Sequence, residues 1–146
     1  KDVCIVIVSK NERYSEDFIV NMNILKKLTS NFIYIKGIED INSLKEVAIN
    51  YKIAVDCIFG IGLNRVLEEF YMVLINYINE KWESIISVDV PSGLNSDNGE
   101  IMGTSIVANT TYTFEVIKSG FIKYKALKYL GNLEVLKIGI PDFVKE

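Results

Sequence analysis

The chain has 146 residues, 49% of them apolar and 24% charged; this is one domain's length at ordinary globular composition, which excludes intrinsic disorder. A net charge of −3 argues against a nucleic-acid surface built on bulk positive charge. Histidine is absent, which removes His-based triads, His metal sites and His proton shuttles, and two cysteines are too few for a zinc site or a disulfide-rich scaffold.

Val3–Val8 (VCIVIV) is a continuous apolar run that suits a strand buried on both faces. Ser15, Glu16 and Asp17 then lead into Phe18, Met22, Leu25 and Leu28, whose three- and four-residue spacing predicts an amphipathic helix with acids at its start. Phe32–Ile35 reads as a strand, Ile38–Asn50 as a helix with Ile41, Leu44 and Ala48 on one face, and Ile53–Phe59 as a strand. Val66–Tyr77 carries Val66, Phe70, Tyr71, Leu74 and Ile78 in helical register, and Ile85–Val90 reads as a strand. Strands alternating with helices predict βαβ units and a mostly parallel sheet with helices on both faces, an α/β, Rossmann-like three-layer fold.

After Pro91 the residues Gly93, Asn95, Asp97, Asn98 and Gly99 form a turn-rich loop. Thr111–Phe114 and Leu133–Ile138 read as later strands around a short helical or irregular piece, Ile122–Leu130. Cys4 and Cys57 lie in apolar runs and are expected to be small buried hydrophobes in a reducing compartment. No stretch approaches the roughly 18–20 apolar residues of a membrane span, and the N-terminus lacks a signal-peptide layout, so a soluble cytoplasmic chain without a membrane partner is expected. The first residue, Lys1, fits a processed or excised chain.

In open α/β sheets ligands sit beyond the carboxyl ends of the strands, and three segments fall there. The first runs from Val55 to Arg65. Gly60 and Gly62 allow a tight turn and close backbone approach to a phosphate, with a following helix to offer its N-terminal N–H groups, or they simply turn the chain. Arg65, with Arg13 one of only two arginines in the chain, suits bidentate phosphate contact. Asp56 interrupts an apolar strand and must be bound to a cation or satisfied by neighbouring loop N–H groups. The second segment, Ser87–Asn95, closes a strand with Asp89, a candidate general acid or base or the anchor of an Asx-type turn; Ser92 is a candidate oxygen ligand. The third, Thr111–Gly120, places Lys118 just past a strand end, where it can anchor phosphate, protonate a leaving group or merely be solvated.

Together these segments resemble one family, the YjeF N-terminal domain, whose enzymatic members are NAD(P)H-hydrate epimerases. Its pattern reads approximately V-D-x-x-F-G-x-G-L-x-R, D-[IV]-P-S-G-[LI], G-x-x-x-G-x-x-x-x-A-x-x-T-x-T-F-x-x-x-K-x-G and I-G-I-P. This chain supplies Val55 to Arg65, then Asp89 to Leu94, then Gly99, Gly103, Ala108, Thr111, Thr113, Phe114, Lys118 and Gly120, then Ile138 to Pro141. The resemblance implies a single domain over residues 1–146 that lacks the family's N-terminal helical part. It places the substrate loop on Gly60, Ile61, Gly62, Leu63, Asn64, Arg65 and Val66, and a substrate-contacting acid on Asp89. A monovalent-cation site, usually potassium, falls on Asp56 and Ser92. Where the family has an Asn-Asn-Gly-Gly-Asp loop, this chain has Arg13-Tyr14-Ser15-Glu16-Asp17. Only Asp17 matches, as a substrate-binding residue, and Tyr14 stands where an asparagine would help hold the cation. A weakened potassium site is therefore expected.

The function this implies is epimerisation of hydrated NAD(P)H, NADHX or NADPHX, in nicotinamide-nucleotide repair, with Asp89 and Lys118 as acid/base candidates and no redox cofactor. The alternative is a non-catalytic module of the same family that binds a nucleotide or a protein, as RNA-processing scaffolds of the family do. Loss of the Asn-Asn-Gly-Gly motif favours that alternative; retention of Asp56, Arg65, Asp89, Ser92 and Lys118 favours the enzyme. The nucleotide is the expected partner, nucleic acid is not, and the resemblance allows a homodimer. A dinucleotide-dependent dehydrogenase is ruled out, since no G-x-G-x-x-G follows the first strand.

Overall fold

A computed structural model describes residues 3–11 and 14–141; Arg13 lies outside the described residues. The chain forms two compact units, Lys1–Tyr51 and Lys52–Glu146.

The first unit holds β1 (Ile5–Val8), α1 (Glu16–Leu28), β2 (Phe32–Ile35), a 3-10 stretch (Ile38–Ser43) and α2 (Leu44–Asn50). β1 and β2 pair in parallel, from Ile5 opposite Phe32 to Val8 opposite Ile35. Helix α1 starts where the sequence puts it, because the Ser15 hydroxyl accepts the Phe18 N–H at 3.2 Å. Glu16 and Asp17 in its first turn and Lys26 and Lys27 in its last complement the helix dipole. Ile7, Met22, Ile35, Ile41, Leu44 and Val47 are buried.

Three expectations are corrected in this unit. The helix read over Ile38–Asn50 opens as a 3-10 stretch. There the Asp40 carboxylate accepts the N–H groups of Lys36 and Gly37 at 2.8 and 3.1 Å, and the Ser43 hydroxyl donates to the Asp40 carbonyl. Such local side-chain bonds compete with the α-helical ladder and tighten the first turn. Of β1, only Ile7 is buried, and Cys4 is half-buried. Leu28, read on the apolar face of α1, sits at its last residue and is exposed.

The second unit holds β3 (Ile53–Asp56), α3 (Glu69–Lys81), β4 (Ser84–Val88), β5 (Thr110–Phe114), the short α4 (Leu127–Leu130) and β6 (Asn132–Leu136). Its sheet runs β3-β4-β5-β6 with every pair parallel. One core cluster gathers Val90, Leu94, Phe121, Ala126 and Leu130, with Ile101 and Leu133 against it. Phe70, Leu74 and Ile75 of α3 are buried as well. Parallel sheets alternating with helices make this the α/β fold the sequence predicts. Among the described residues no helix is long and apolar enough to cross a membrane.

The boundaries shift toward the site. β3 stops at Asp56 and β4 at Val88, each earlier than the apolar runs suggest: the Asp56 carboxylate accepts the N–H groups of Ile58 and Ser92 in the loops beyond, and Asp89, just past β4, accepts the Phe114 N–H at the end of β5. Helix α3 begins at Glu69 and not at Val66. The Leu67 N–H donates to the Met102 carbonyl, which holds the chain in a loop for one more turn, and Val66 is exposed. Cys57, just past β3, is exposed and not a core residue. Its thiol is nevertheless pushed up, first by partial burial and then by the Asp56 charge.

Candidate active site

Asp56, the last residue of β3, is 3% exposed. Its Oδ2 accepts the Ser87 hydroxyl at 2.9 Å and the Ser92 N–H at 2.8 Å; its Oδ1 accepts the Ser92 hydroxyl at 2.5 Å and the Ile58 N–H at 3.3 Å. Burial pushes this carboxyl above its ordinary range, and the bonds from Ser92, Ile58 and Ser87 oppose the rise. The Ser92 hydroxyl also accepts the Phe59 N–H at 2.9 Å and lies 3.4 Å from the Phe59 carbonyl oxygen. Asp56 thus ties the end of β3 to the Pro91–Gly93 turn.

The same corner brings three oxygens of different kinds together: Asp56 Oδ1, Ser92 Oγ and the Phe59 carbonyl. Carboxylate, hydroxyl and carbonyl are the donor set of a hard cation, so the residues fit a monovalent ion. The carboxylate is already satisfied by four protein donors. Among the described residues no group of three or more His, Cys, Asp or Glu side chains could hold a metal.

Asp89 follows β4 with φ 67°, a left-handed backbone that is strained for a non-glycine residue. Its N–H donates to the Tyr112 carbonyl at 2.8 Å. Three donors converge on its Oδ1: Lys118 Nζ at 2.9 Å, the Phe114 N–H at 3.1 Å and the Thr113 hydroxyl at 3.3 Å. Lys118 Nζ also donates to the carbonyls of Phe114 at 2.9 Å and Val116 at 3.4 Å. Both side chains are mostly buried, 19% exposed for Asp89 and 14% for Lys118, so the ion pair lies at the floor of a pocket and not on an open surface. Asp89 also turns the chain, but as part of an ion pair rather than as a simple Asx turn.

A cleft of about 720 Å³ opens over this pair, lined by Asp89, Lys118, Glu115 and Asp97 among polar residues and by Ile61, Phe114, Ile138 and Ile140 among apolar ones. Ile61 brings the glycine loop to its rim. The loop itself is held from below: Asn95 Nδ2 donates to the Leu63 carbonyl at 3.2 Å and the Ser96 hydroxyl to the Ile61 carbonyl at 3.3 Å. Gly60, Gly62, Asn64 and Arg65 are exposed while Leu63 is buried as the loop's anchor. A Cβ on Gly60 or Gly62 would meet open space, so neither glycine is demanded by protein packing. A second hollow of about 260 Å³ follows the loop from Ile58 to Arg65. Because α3 starts four residues beyond Arg65 and carries Glu69 in its first turn, its N-terminus does not serve this loop as the sequence suggested.

The structure therefore brings Asp56 to Ser92 and Asp89 to Lys118, with the Gly60–Arg65 loop beside them. Val66, read as the end of the substrate loop, is exposed and lines neither hollow. Asp17 belongs to the first unit, exposed in the first turn of α1. Tyr14 stacks on Phe18 at 4.5 Å between ring centroids and 12° between planes. Sequence reasoning passed over three contributors. Asn95, read as a turn residue, and Ser96 are buried and hold the loop. Glu115, an acid directly after an alternating strand, carries the same signal that drew attention to Asp56 and Asp89.

Residues 1–120 match the family described as YjeF-related protein N-terminus. The bifunctional NAD(P)H-hydrate repair enzyme Nnr of Dictyoglomus turgidum is 42% identical over 115 residues, covering 78% of this chain and 22% of that protein. The NAD(P)H-hydrate epimerase of Oenococcus oeni is 33% identical over 140 residues, covering 96% of this chain and 62% of that protein. That of Anaerococcus prevotii is 33% identical over 142 residues, covering 97% and 64%. The chain spans less than two thirds of the length of each of these three relatives.

Proposed function

The chain belongs to the YjeF-related N-terminal family, and from that premise we propose that it epimerises hydrated NADH or NADPH at the hydroxyl-bearing ring carbon. The observation that carries this reading is the Asp89–Lys118 pair, 2.9 Å apart, at the floor of the cleft beside the glycine loop. Inverting that carbon requires the hydroxyl to leave and return. Lys118 donates a proton to the hydroxyl as the C–O bond breaks, and the ring nitrogen's lone pair stabilises the cation that forms. Water then adds from the other face, and Asp89 accepts the proton it releases. Passage of that proton across the ion pair restores both groups. Three donors fix Oδ1 of Asp89, so Oδ2 is the oxygen assigned to the substrate. No redox cofactor enters, because the nucleotide is the substrate.

The remaining roles follow from family likeness and position. Gly60 to Arg65 take the phosphates, with Arg65 as the charge-assisted donor, and Asp17 contacts the nucleotide. Asp56, Ser92 and the Phe59 carbonyl hold potassium weakly, since Tyr14 stands in place of an asparagine; the ion would supply a fixed positive charge near the loop. The family match runs across both compact units, which supports reading them as one YjeF-type domain. A homodimer and a cytoplasmic setting belong to the same proposal. The test is incubation of the protein with a mixture of the hydrate epimers. Interconversion well above the spontaneous rate is expected. Nucleotide binding without interconversion would instead identify a non-catalytic binding module.

A further inference from the structure

β5 and β6 run parallel with Phe114 opposite Leu136, and one bond beyond the strand the Glu115 N–H donates to the Leu136 carbonyl at 2.8 Å. In a continued parallel ladder the next bond would join the Ile138 N–H to the Glu115 carbonyl. That bond is not made. Glu115 has φ 62°, and the backbone turns away from β6 into a tight turn in which the Val116 N–H donates to the Phe114 carbonyl at 2.7 Å. The Glu115 side chain occupies the place its carbonyl has left. Its Oε2 accepts the Ile138 N–H at 2.7 Å and the Ile140 N–H at 3.4 Å, on either side of Gly139, whose φ of 88° turns both amides toward the one carboxylate. Lys137 Nζ lies 3.5 Å from Oε1 and 3.5 Å from the Glu115 carbonyl oxygen.

A glutamate at a left-handed position carries strain that a glycine would avoid. At 5% exposure its carboxylate is also removed from water, which is costly unless donors replace the hydration. Both costs are offset where the carboxylate does something backbone cannot. Ile138 and Ile140 line the cleft over Asp89 and Lys118. Phe114, the residue before the turn, binds both members of that pair, through its N–H to Asp89 and its carbonyl to Lys118.

We propose that Glu115 is a positioning residue. Its carboxylate continues the β5–β6 ladder past the left-handed turn and so fixes the Ile138–Ile140 segment as the apolar wall against which the substrate ring rests. The wall's role rests on the epimerase reading above; the ladder role does not. Because the wall contacts the substrate while Asp89 and Lys118 keep their own bonds, loss of Glu115 should weaken substrate binding more than the chemical step.

The experiment compares the full chain with Glu115→Gly, Glu115→Ala and Glu115→Gln, by amide hydrogen exchange without ligand and by epimerase kinetics. Glycine suits φ 62° and removes the carboxylate without adding strain, so it keeps the test open where alanine fails to fold. Removing a charged acceptor from two amides should speed exchange at Ile138 and Ile140 by about tenfold or more, while the amides of β3 and β4 are unchanged. KM should rise about tenfold with kcat within about threefold, as for a lost contact made equally in ground and transition states. Glu115→Gln keeps an acceptor oxygen at the same reach and should restore most of the protection and of KM. Unchanged exchange at Ile138 and Ile140 in Glu115→Gly would overturn the ladder role. Even loss of protection across the sheet, or equal losses in kcat and kcat/KM, would overturn the positioning role. If the unaltered protein interconverts no epimers while Glu115→Gly releases those two amides, the ladder role stands and the epimerase reading falls.

Discussion

Replacing Asp56 by alanine removes the acceptor for four donors. The two hydroxyls can turn elsewhere; Ser92 Oγ already lies 3.4 Å from the Phe59 carbonyl. The backbone N–H groups of Ser92 and Ile58 cannot. Two orphaned amides at about 1–3 kcal/mol each give a cost of about 2–6 kcal/mol. Relief of a buried charge works against that cost, since burial raises the Asp56 carboxyl above its ordinary 3.8. The folded protein then holds the Asp56 proton more tightly than the unfolded chain. This contribution to stability is fully present below pH 3.8 and is lost as pH rises through the higher folded value. Asp56→Ala should therefore destabilise more at pH 4 than at pH 7. Asp56→Asn keeps one acceptor oxygen and should cost less than Asp56→Ala at either pH. Urea unfolding in choline chloride, free of potassium and sodium, gives these values directly. A cost for Asp56→Ala below about 1 kcal/mol, the worth of one ordinary hydrogen bond, would refute the view that Asp56 ties β3 to the Pro91–Gly93 turn.

Three further outcomes are expected. Potassium should raise the melting temperature only slightly more than sodium does, and Ser92→Ala should abolish the difference; strong potassium-specific stabilisation would mean that the ligand lost at Tyr14 has been replaced. Arg65→Ala should weaken binding of a nicotinamide nucleotide by about tenfold, the worth of one charge-assisted contact, with a smaller effect on rate at saturation; unchanged affinity in calorimetry would remove Arg65 from the phosphate site. Gly93→Ala should destabilise by more than about 2 kcal/mol in denaturant unfolding, because φ is +97° and the new Cβ would lie 2.0 Å from the Thr104 carbonyl oxygen.

Local signals in the sequence were legible where the physics is local. The Ser15 cap with Glu16 and Asp17 fixed the start of α1, and Asp56 and Asp89 stood out because a carboxylate in an apolar strand needs donors, although the apolar runs carried both strands past them. What was not legible depends on partners far along the chain. The start of α3 moved from Val66 to Glu69 because Leu67 bonds Met102, which periodicity cannot register. Apolar identity alone made Cys57 a core residue, whereas the strand ends one residue before it. Lys118 was indistinguishable from a solvated lysine until the turn at Glu115 aimed the Phe114 carbonyl at it. Glu115 itself passed unnoticed because its acceptor role belongs to a ladder 23 residues away, at Ile138.

The most direct test of the central claim is the epimerisation rate of Asp89→Asn at saturating substrate, read beside its affinity for the same nucleotide. Asparagine keeps the shape and an acceptor for Phe114 and Thr113 but cannot take up a proton. Such a role is worth about 10²–10⁴-fold in rate. A loss of that size with affinity changed by less than about threefold is the predicted result. A variant that keeps most of its rate, or loses rate only in step with folding stability, would contradict the assignment and leave Asp89 as the anchor of a turn.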